Sequence, residues 1–179
     1  MKPLIFAIGD KKPKIHATAF IAPGAVVCGD VEIGEDASIW YGCVLRGDSN
    51  RIIVGKGSNV QDGTIIHADE PVLGGVPTVI GAYALIGHKC MLHGATVEDE
   101  GFVGMGSTML DGSIVRTGAM LAAGAFLSPK KIVPAGEMWA GMPAKKFRDL
   151  HEGESQMARG GATHYIEEAR HHAEALQGR

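Results

Sequence analysis

The chain repeats itself every six residues, and few folds can use that period. Aliphatic side chains stand at Ile15, Ile21, Val27, Ile33, Ile39 and Leu45, and four places after each comes a small or modest residue: Ala19, Ala25, Val31, Ala37, Cys43, Ser49. After a three-residue slip the frame resumes at Val54, Val60 and Ile66. It returns at Ile80, Ile86 and Leu92, slips by one residue to Val97, and runs through Val103, Met109, Val115, Leu121, Leu127 and Val133 to Trp139. A helix repeats at about 3.6 residues and a half-buried strand at about two, so neither explains the pattern. A β-sandwich would place variable loops roughly every eight to twelve residues, which so many in-phase repeats contradict. A hexapeptide period reads instead as a parallel β-helix. Six residues make a short strand and a corner, three such units make a triangular coil, and the repeated aliphatics stack inward as a column.

The pattern resembles that of the left-handed β-helix proteins with a hexapeptide signature, an exception to the right-handed crossover rule. The expected fold is therefore an all-β solenoid, a left-handed parallel β-helix of hexapeptide repeats with a C-terminal α-helix. Gly at 26 of 179 residues and aromatics at only 6% suit a backbone that turns often around small side chains. The frame breaks for long once, across loop 68–79, where two prolines and the pair Gly74-Gly75 leave the coil. Residues 1–145 are thus expected to form the β-helix. Residues 146–179 are expected to form a linker and a helix running from a Thr163 N-cap to about Gln177, its modest apolar stripe laid along the coil.

Lys and Arg number 17 against 20 Asp and Glu, a net charge of -3 that gives no reason to expect nucleic acid or a membrane as partner. The run Leu4-Ile5-Phe6-Ala7-Ile8 is too short for a signal h-region, nothing approaches a membrane span, and a cytoplasmic protein is expected. Three cysteines, Cys28, Cys43 and Cys90, have no CxxC spacing and read as core filler.

Function is concentrated in three histidines. His88 and His93 lie five residues apart in Ile86-Gly87-His88-Lys89-Cys90-Met91-Leu92-His93-Gly94, and His67 lies upstream in Thr64-Ile65-Ile66-His67. Three imidazoles suggest the ligand set of a catalytic zinc, which leaves a fourth position for water. Counting in coils of 18 residues, with the loop as about eight extra, stacks His67 and His93 one rung apart on one face. The same count puts His88 on a different face, too far to share an ion within one chain. A neighbour in a threefold assembly would supply the third ligand. The alternative is three solvated corner histidines. Two polar groups also interrupt the repeat, Leu45-Arg46-Gly47-Asp48 and Val60-Gln61-Asp62-Gly63. They read as an interface network with a buried Arg46 between Asp48 and Asp62, and as a Gln61 placed to orient a metal-bound water. Tyr165, on the tail helix, joins the catalytic candidates without an assigned role.

These motifs, with the closing Trp139-Ala140-Gly141-Met142-Pro143-Ala144-Lys145, look like the gamma-class carbonic anhydrase family over about residues 10–148. The resemblance implies a homotrimer with Zn2+ (or Fe2+ or Co2+) at each interface, held by His67 and His93 of one subunit and His88 of the next. It implies that Arg46 and Asp48 matter at the interface and that Gln61 and Asp62 line the site. The implied activity, a lyase, is reversible hydration of carbon dioxide to bicarbonate by a metal-bound hydroxide, formed because such a site lowers the pKa of its water to about 7. Two departures from prototype members bear on the proton path. Ser49 stands where they carry a glutamate, and loop 68–79 offers only Asp69 and Glu70, which places the chain in the short-loop, carbonic anhydrase-like branch. The competing readings are a hexapeptide acyltransferase, a coenzyme A thioesterase, or a non-catalytic zinc-binding trimer.

Overall fold

In the computed structural model, which describes residues 2–178, the repeated aliphatics form one column. From Val27 to Val133 each of them is at most 1% exposed. Ile15, Ile21 and Trp139, at the two ends, are partly buried and pack against it. The chain winds around this column as a left-handed parallel β-helix with three faces. Strands Ile65–His67, Met91–His93, Thr108–Met109 and Phe126–Leu127 follow one another along the first face. Thr78–Ile80, Thr96–Val97, Ile114–Val115 and Ile132–Val133 form the second. The third runs from Phe20–Ile21 through Ser38–Ile39, Asn59–Val60 and Leu85–Ile86 to Glu137–Ala140, where an antiparallel strand, Lys145–Asp149, ends the stack.

Register is parallel and in phase: Val60 pairs with Ile86, and Ile66 with Leu92. The three-residue slip has a physical form. Gly29 pairs with Gly47 but Val31 pairs with Ile52, so the chain between Gly47 and Ile52 bulges out of the coil. The two long strands here, Val26–Ile33 and Val44–Val54, turn a corner without breaking. One end of Val44–Val54 pairs with Ile65–His67 on the first face and the other with Thr78–Ile80 on the second. Cys28, Cys43 and Cys90 are free and buried. Burial pushes the Cys43 and Cys90 thiols up to about 11, which leaves little thiolate for chemistry.

The tail departs from expectation in its start. Helix α1 spans Met157–Gln177, so Thr163 lies inside it and donates its hydroxyl to the Arg159 carbonyl at 3.0 Å. The segment read as linker contains the strand Lys145–Asp149 and a short 3-10 turn, Glu154–Gln156. Gly160 and Gly161 argue against helix by propensity, but packing overrides them. Ala158, Ala162 and Ala169 are buried, and a Cβ at Gly161 would come 2.5 Å from Leu85 on the third face. Further along α1, His172 Nδ1 lies 2.7 Å from the Tyr41 hydroxyl, and its ring sits edge-on 5.0 Å from Trp40. No helix among the described residues is long and apolar enough to cross a membrane.

The column makes a stability prediction. Leu121→Ala, at a fully buried site, should cost about 2–5 kcal/mol, whereas Val72→Ala in the exposed loop should stay within about 0.5 kcal/mol. Urea midpoints of the two variants, compared with the parent protein, measure the difference.

Candidate metal centre

Strand pairing places His93 directly opposite His67, on successive coils of the first face. Their ring centroids are 5.2 Å apart, and His67 Nδ1 lies 3.2 Å from His93 Nε2. The far nitrogen of each ring is committed. His67 Nε2 is 3.0 Å from Asp48 Oδ1, and His93 Nδ1 is 2.9 Å from Asp111 Oδ2. An ionised carboxylate only accepts, so each outer nitrogen carries the proton. A neutral imidazole has one N–H, so both inner nitrogens present lone pairs. Two lone pairs at this distance repel, and a cation between them reverses the sign. Nitrogens about 2.0–2.1 Å from a tetrahedral ion stand roughly 3.3–3.4 Å apart, close to the observed gap. The donor set and its carboxylate backing therefore fit a metal, in the carboxylate–histidine arrangement that orients ligating imidazoles.

Local sequence builds this half. The bulge after Gly47 carries Asp48 out to His67. Burial alone would push the Asp48 carboxyl up, but hydrogen bonds from Arg46 and His67 outweigh it and hold the group below the usual carboxylate range. Arg46 Nη1 donates to Asp48 Oδ2 at 2.5 Å, and Lys11 Nζ donates to the Asp48 carbonyl. Asp111 reaches His93 across Gly94, whose φ is +54° and whose missing Cβ is what the Asp111 carboxylate comes up against. Asp69, two residues past His67, completes the cluster. His67, Asp69 and His93 are the one group among the described residues whose ligand atoms all lie within 4.8 Å of one another.

His88 is elsewhere. It follows Leu85–Ile86 at the corner leaving the third face, is 41% exposed, and has Nδ1 2.9 Å from Asp62 Oδ2. By the same tautomer argument Nε2 is left as a lone pair, with no second ring paired to it among the described residues. Its surroundings are the other polar residues singled out in the sequence. Gln61 is buried and donates Nε2 to Asn59 Oδ1 at 3.0 Å, and the Asn59 Nδ2 group is buried without a partner. Trp40, Tyr41, Asp62, His164, Tyr165, Glu168 and His172 line an open cavity of about 260 Å3. Desolvation, then the charges of Asp62 and Glu168, push the Tyr165 phenol up.

So the candidate residues fall into two separate groups. Arg46, Asp48, His67 and His93 belong to one; Gln61, Asp62, His88 and Tyr165 belong to the other. Within one chain Arg46 does not bridge Asp48 and Asp62: its side chain is 47% exposed, it pairs with Asp48, and Asp62 pairs with His88. Arg46 follows the inward Leu45 while still in register with Cys28, so strand alternation turns it outward on the first face, whereas Asp62 leaves the third. Asp111 went unnoticed in the sequence, although it stands 18 residues after His93 and the coil count reaches it.

Fold and site together define a hexapeptide-repeat β-helix that carries a carboxylate-backed histidine pair able to hold a metal ion. The family described as "Bacterial transferase hexapeptide (six repeats)" matches residues 12–47. Gamma carbonic anhydrase 2, mitochondrial, of Arabidopsis thaliana is 48% identical over 166 residues, 92% of this chain and 60% of that protein. A "Probable carbonic anhydrase" of Methanocaldococcus jannaschii is 38% identical over 82% of this chain and 89% of its own length. A crystal structure of a hexapeptide transferase family protein from Anaplasma phagocytophilum superposes with a TM-score of 0.87 at 45% identity, covering 93% of this chain and 96% of that one. The chain belongs to the gamma carbonic anhydrase family of hexapeptide-repeat proteins. It spans 60% of the length of the first plant relative, and that relative is mitochondrial by name, so the expected cytoplasmic setting gains no support from it.

The carboxylate backing makes the second prediction. Asp111→Asn leaves His93 able to donate only to an amide oxygen and should weaken metal binding about 10–100-fold. Competition of the folded variant against a chromophoric chelator reads it, and unchanged affinity would remove Asp111 from the centre.

Proposed function

We propose that the chain assembles as a homotrimer and that each interface joins the two half-sites into a zinc centre that hydrates carbon dioxide reversibly. His67 and His93 of one subunit would hold the ion together with His88 of the partner subunit. The observation that carries this reading is the 3.2 Å approach of two imidazole nitrogens, with His88 and its Asp62 partner at a different corner of the same chain. Cyclic symmetry brings one face of a subunit against a different face of the next, which is what two separate half-sites need.

What a bound zinc ion supplies there is a water acidic enough, with a pKa of about 7, to furnish a nucleophile at neutral pH. The protein's own groups do the rest. Asp48, Asp111 and Asp62 hold protons on the outer imidazole nitrogens, so all three rings present lone pairs inward. Gln61 is fixed by Asn59 and arrives from the His88 side, where its amide oxygen can orient a water or the substrate. The bicarbonate product carries a charge where carbon dioxide has none. Arg46, exposed on the first half-site, is placed to meet that charge or an acidic neighbour across the interface. Proton removal is the weak point, since Ser49 is no acceptor and the nearby loop carboxylates are Asp69 and Glu70.

Two measurements on one sample test this. Metal analysis should find one zinc per chain, lost in His67→Ala and His93→Ala, and the zinc-loaded protein should hydrate carbon dioxide in a stopped-flow assay. Turnover should rise with imidazole buffer, and Ser49→Glu should raise it most at low buffer. Mixing unfolded and refolded His67→Ala and His88→Ala subunits should regenerate tight sites that neither parent has. A zinc-loaded trimer with no hydration would refute the reaction, and mixed subunits with no recovered tight zinc would refute the shared interface.

A further inference from the structure

The first half-site holds one more donor than two histidines. Asp69 Oδ1 lies 3.7 Å from His93 Nε2, on the lone-pair side of that ring, and within 4.8 Å of the His67 donor atom. One ligand atom from each of His67, Asp69 and His93 converges on a common gap. A proton shared by the two rings would ease the imidazole pair, but an ionised carboxylate facing the same gap favours a doubly charged ion. Ligand atoms on one ion stand roughly 2.9–3.5 Å apart for bond lengths near 2.0–2.2 Å. Asp69 Oδ1 is a few tenths of an ångström outside that range from His93 Nε2 and within 4.8 Å of the His67 ligand atom, so the carboxylate must turn inward to join both rings on one ion.

The approach is built by the loop. Asn50 Nδ2, on the bulge that also carries Asp48, donates to the Asp69 carbonyl at 2.9 Å. Gly75 folds back over Asp69 so closely that a Cβ there would come 2.9 Å from the Asp69 Cβ. Leu73 and Gly75 donate their amides to the Glu70 carbonyl, each at 3.0 Å, and Thr78 Oγ1 donates to the His67 carbonyl at 2.9 Å. The backbone of Asp69 is thus tied on both sides while its carboxylate, 57% exposed, is free to swing.

We propose that Asp69 is a metal ligand of the single subunit. With His67 and His93 it forms a two-histidine, one-carboxylate set that takes up a divalent transition cation before assembly, and it yields its place when His88 of the partner subunit arrives. The inference rests on the reading of His67 and His93 as ligands. It adds an order of events: the ion loads onto a half-site, and trimer formation exchanges a charged oxygen donor for a neutral nitrogen. That exchange raises the net positive charge of the centre by one, the direction that favours loss of a proton from bound water.

The test compares the full-length chain with His88→Ala, Asp69→Asn and the double variant, using Co2+ as probe, with light scattering to record assembly. His88→Ala should still bind one Co2+ per chain, more weakly than the parent protein. Adding Asp69→Asn should weaken it further by at least about 10–100-fold, the loss that even an outer carboxylate partner causes, and should change the visible Co2+ absorption. If the two mutants bind alike with the same spectrum, or if His88→Ala binds no Co2+, the proposal falls while the histidine assignment stands. If His67→Ala and His93→Ala bind as well as the parent, the histidine assignment itself falls. Should His88→Ala fail to fold, Asp69→Asn alone decides: slower Co2+ uptake by dilute apoprotein with full final content supports the proposal, and unchanged uptake overturns it.

Discussion

Coil-on-coil register is the constraint on which everything else in this protein depends. Each short strand has too few residues to hold itself in place, and its position comes from the strands above and below and from the inward aliphatic column. Because side chains alternate across a strand, a slip of one residue would turn that column out to water and bring polar corners inside. The same register places His93 over His67 and Asp111 one coil beyond His93. Core packing and site geometry are therefore one property, and a centre built this way needs no flexible loop to bring its two rings together.

The departures from the repeat carry the chemistry. A pure hexapeptide solenoid would present only small and apolar groups on its faces. The bulge between Gly47 and Ile52 puts Asp48 beside His67 and Asn50 under Asp69. The loop from Ala68 to Pro77 lengthens the spacing of His67 and His93 to 26 residues, against 18 between His93 and Asp111, and holds a carboxylate at the edge of the histidine pair. Each interruption is tolerated because it projects outward and leaves the inward position of the next strand in phase.

The candidate residues are divided between two corners of the coil, His88 with its Asp62 at one and His67 with His93 at another. Helix α1 covers the third face beside His88, and its Tyr165 lines the same cavity as Asp62. A polar wall rich in imidazole and phenol groups thereby stands beside His88 and Asp62, while the carboxylate-backed pair lies on a different face.

The sequence by itself determined the period, the column, the break at the loop and the stacking of His67 with His93, because each follows from counting along a repeat whose pitch is set by hydrogen bonds between coils. It also held Asp111, at one coil from His93, within reach of the same count. It did not determine which nitrogen of each ring is committed, since that depends on side-chain directions of Asp48, Asp62 and Asp111 that no period encodes. Nor did it determine the partner of Arg46, which within one chain pairs with Asp48 while Asp62 pairs with His88. The start of α1 was likewise decided in three dimensions, where burial of Ala158 and Ala162 against the coil outweighed the two glycines that separate helix from loop in the sequence. Local order along the chain specifies the solenoid; the approach of Asp69 through Asn50 and Gly75, and the separation of His88 from His67 and His93, are set only when distant segments are held against one another by the completed coil.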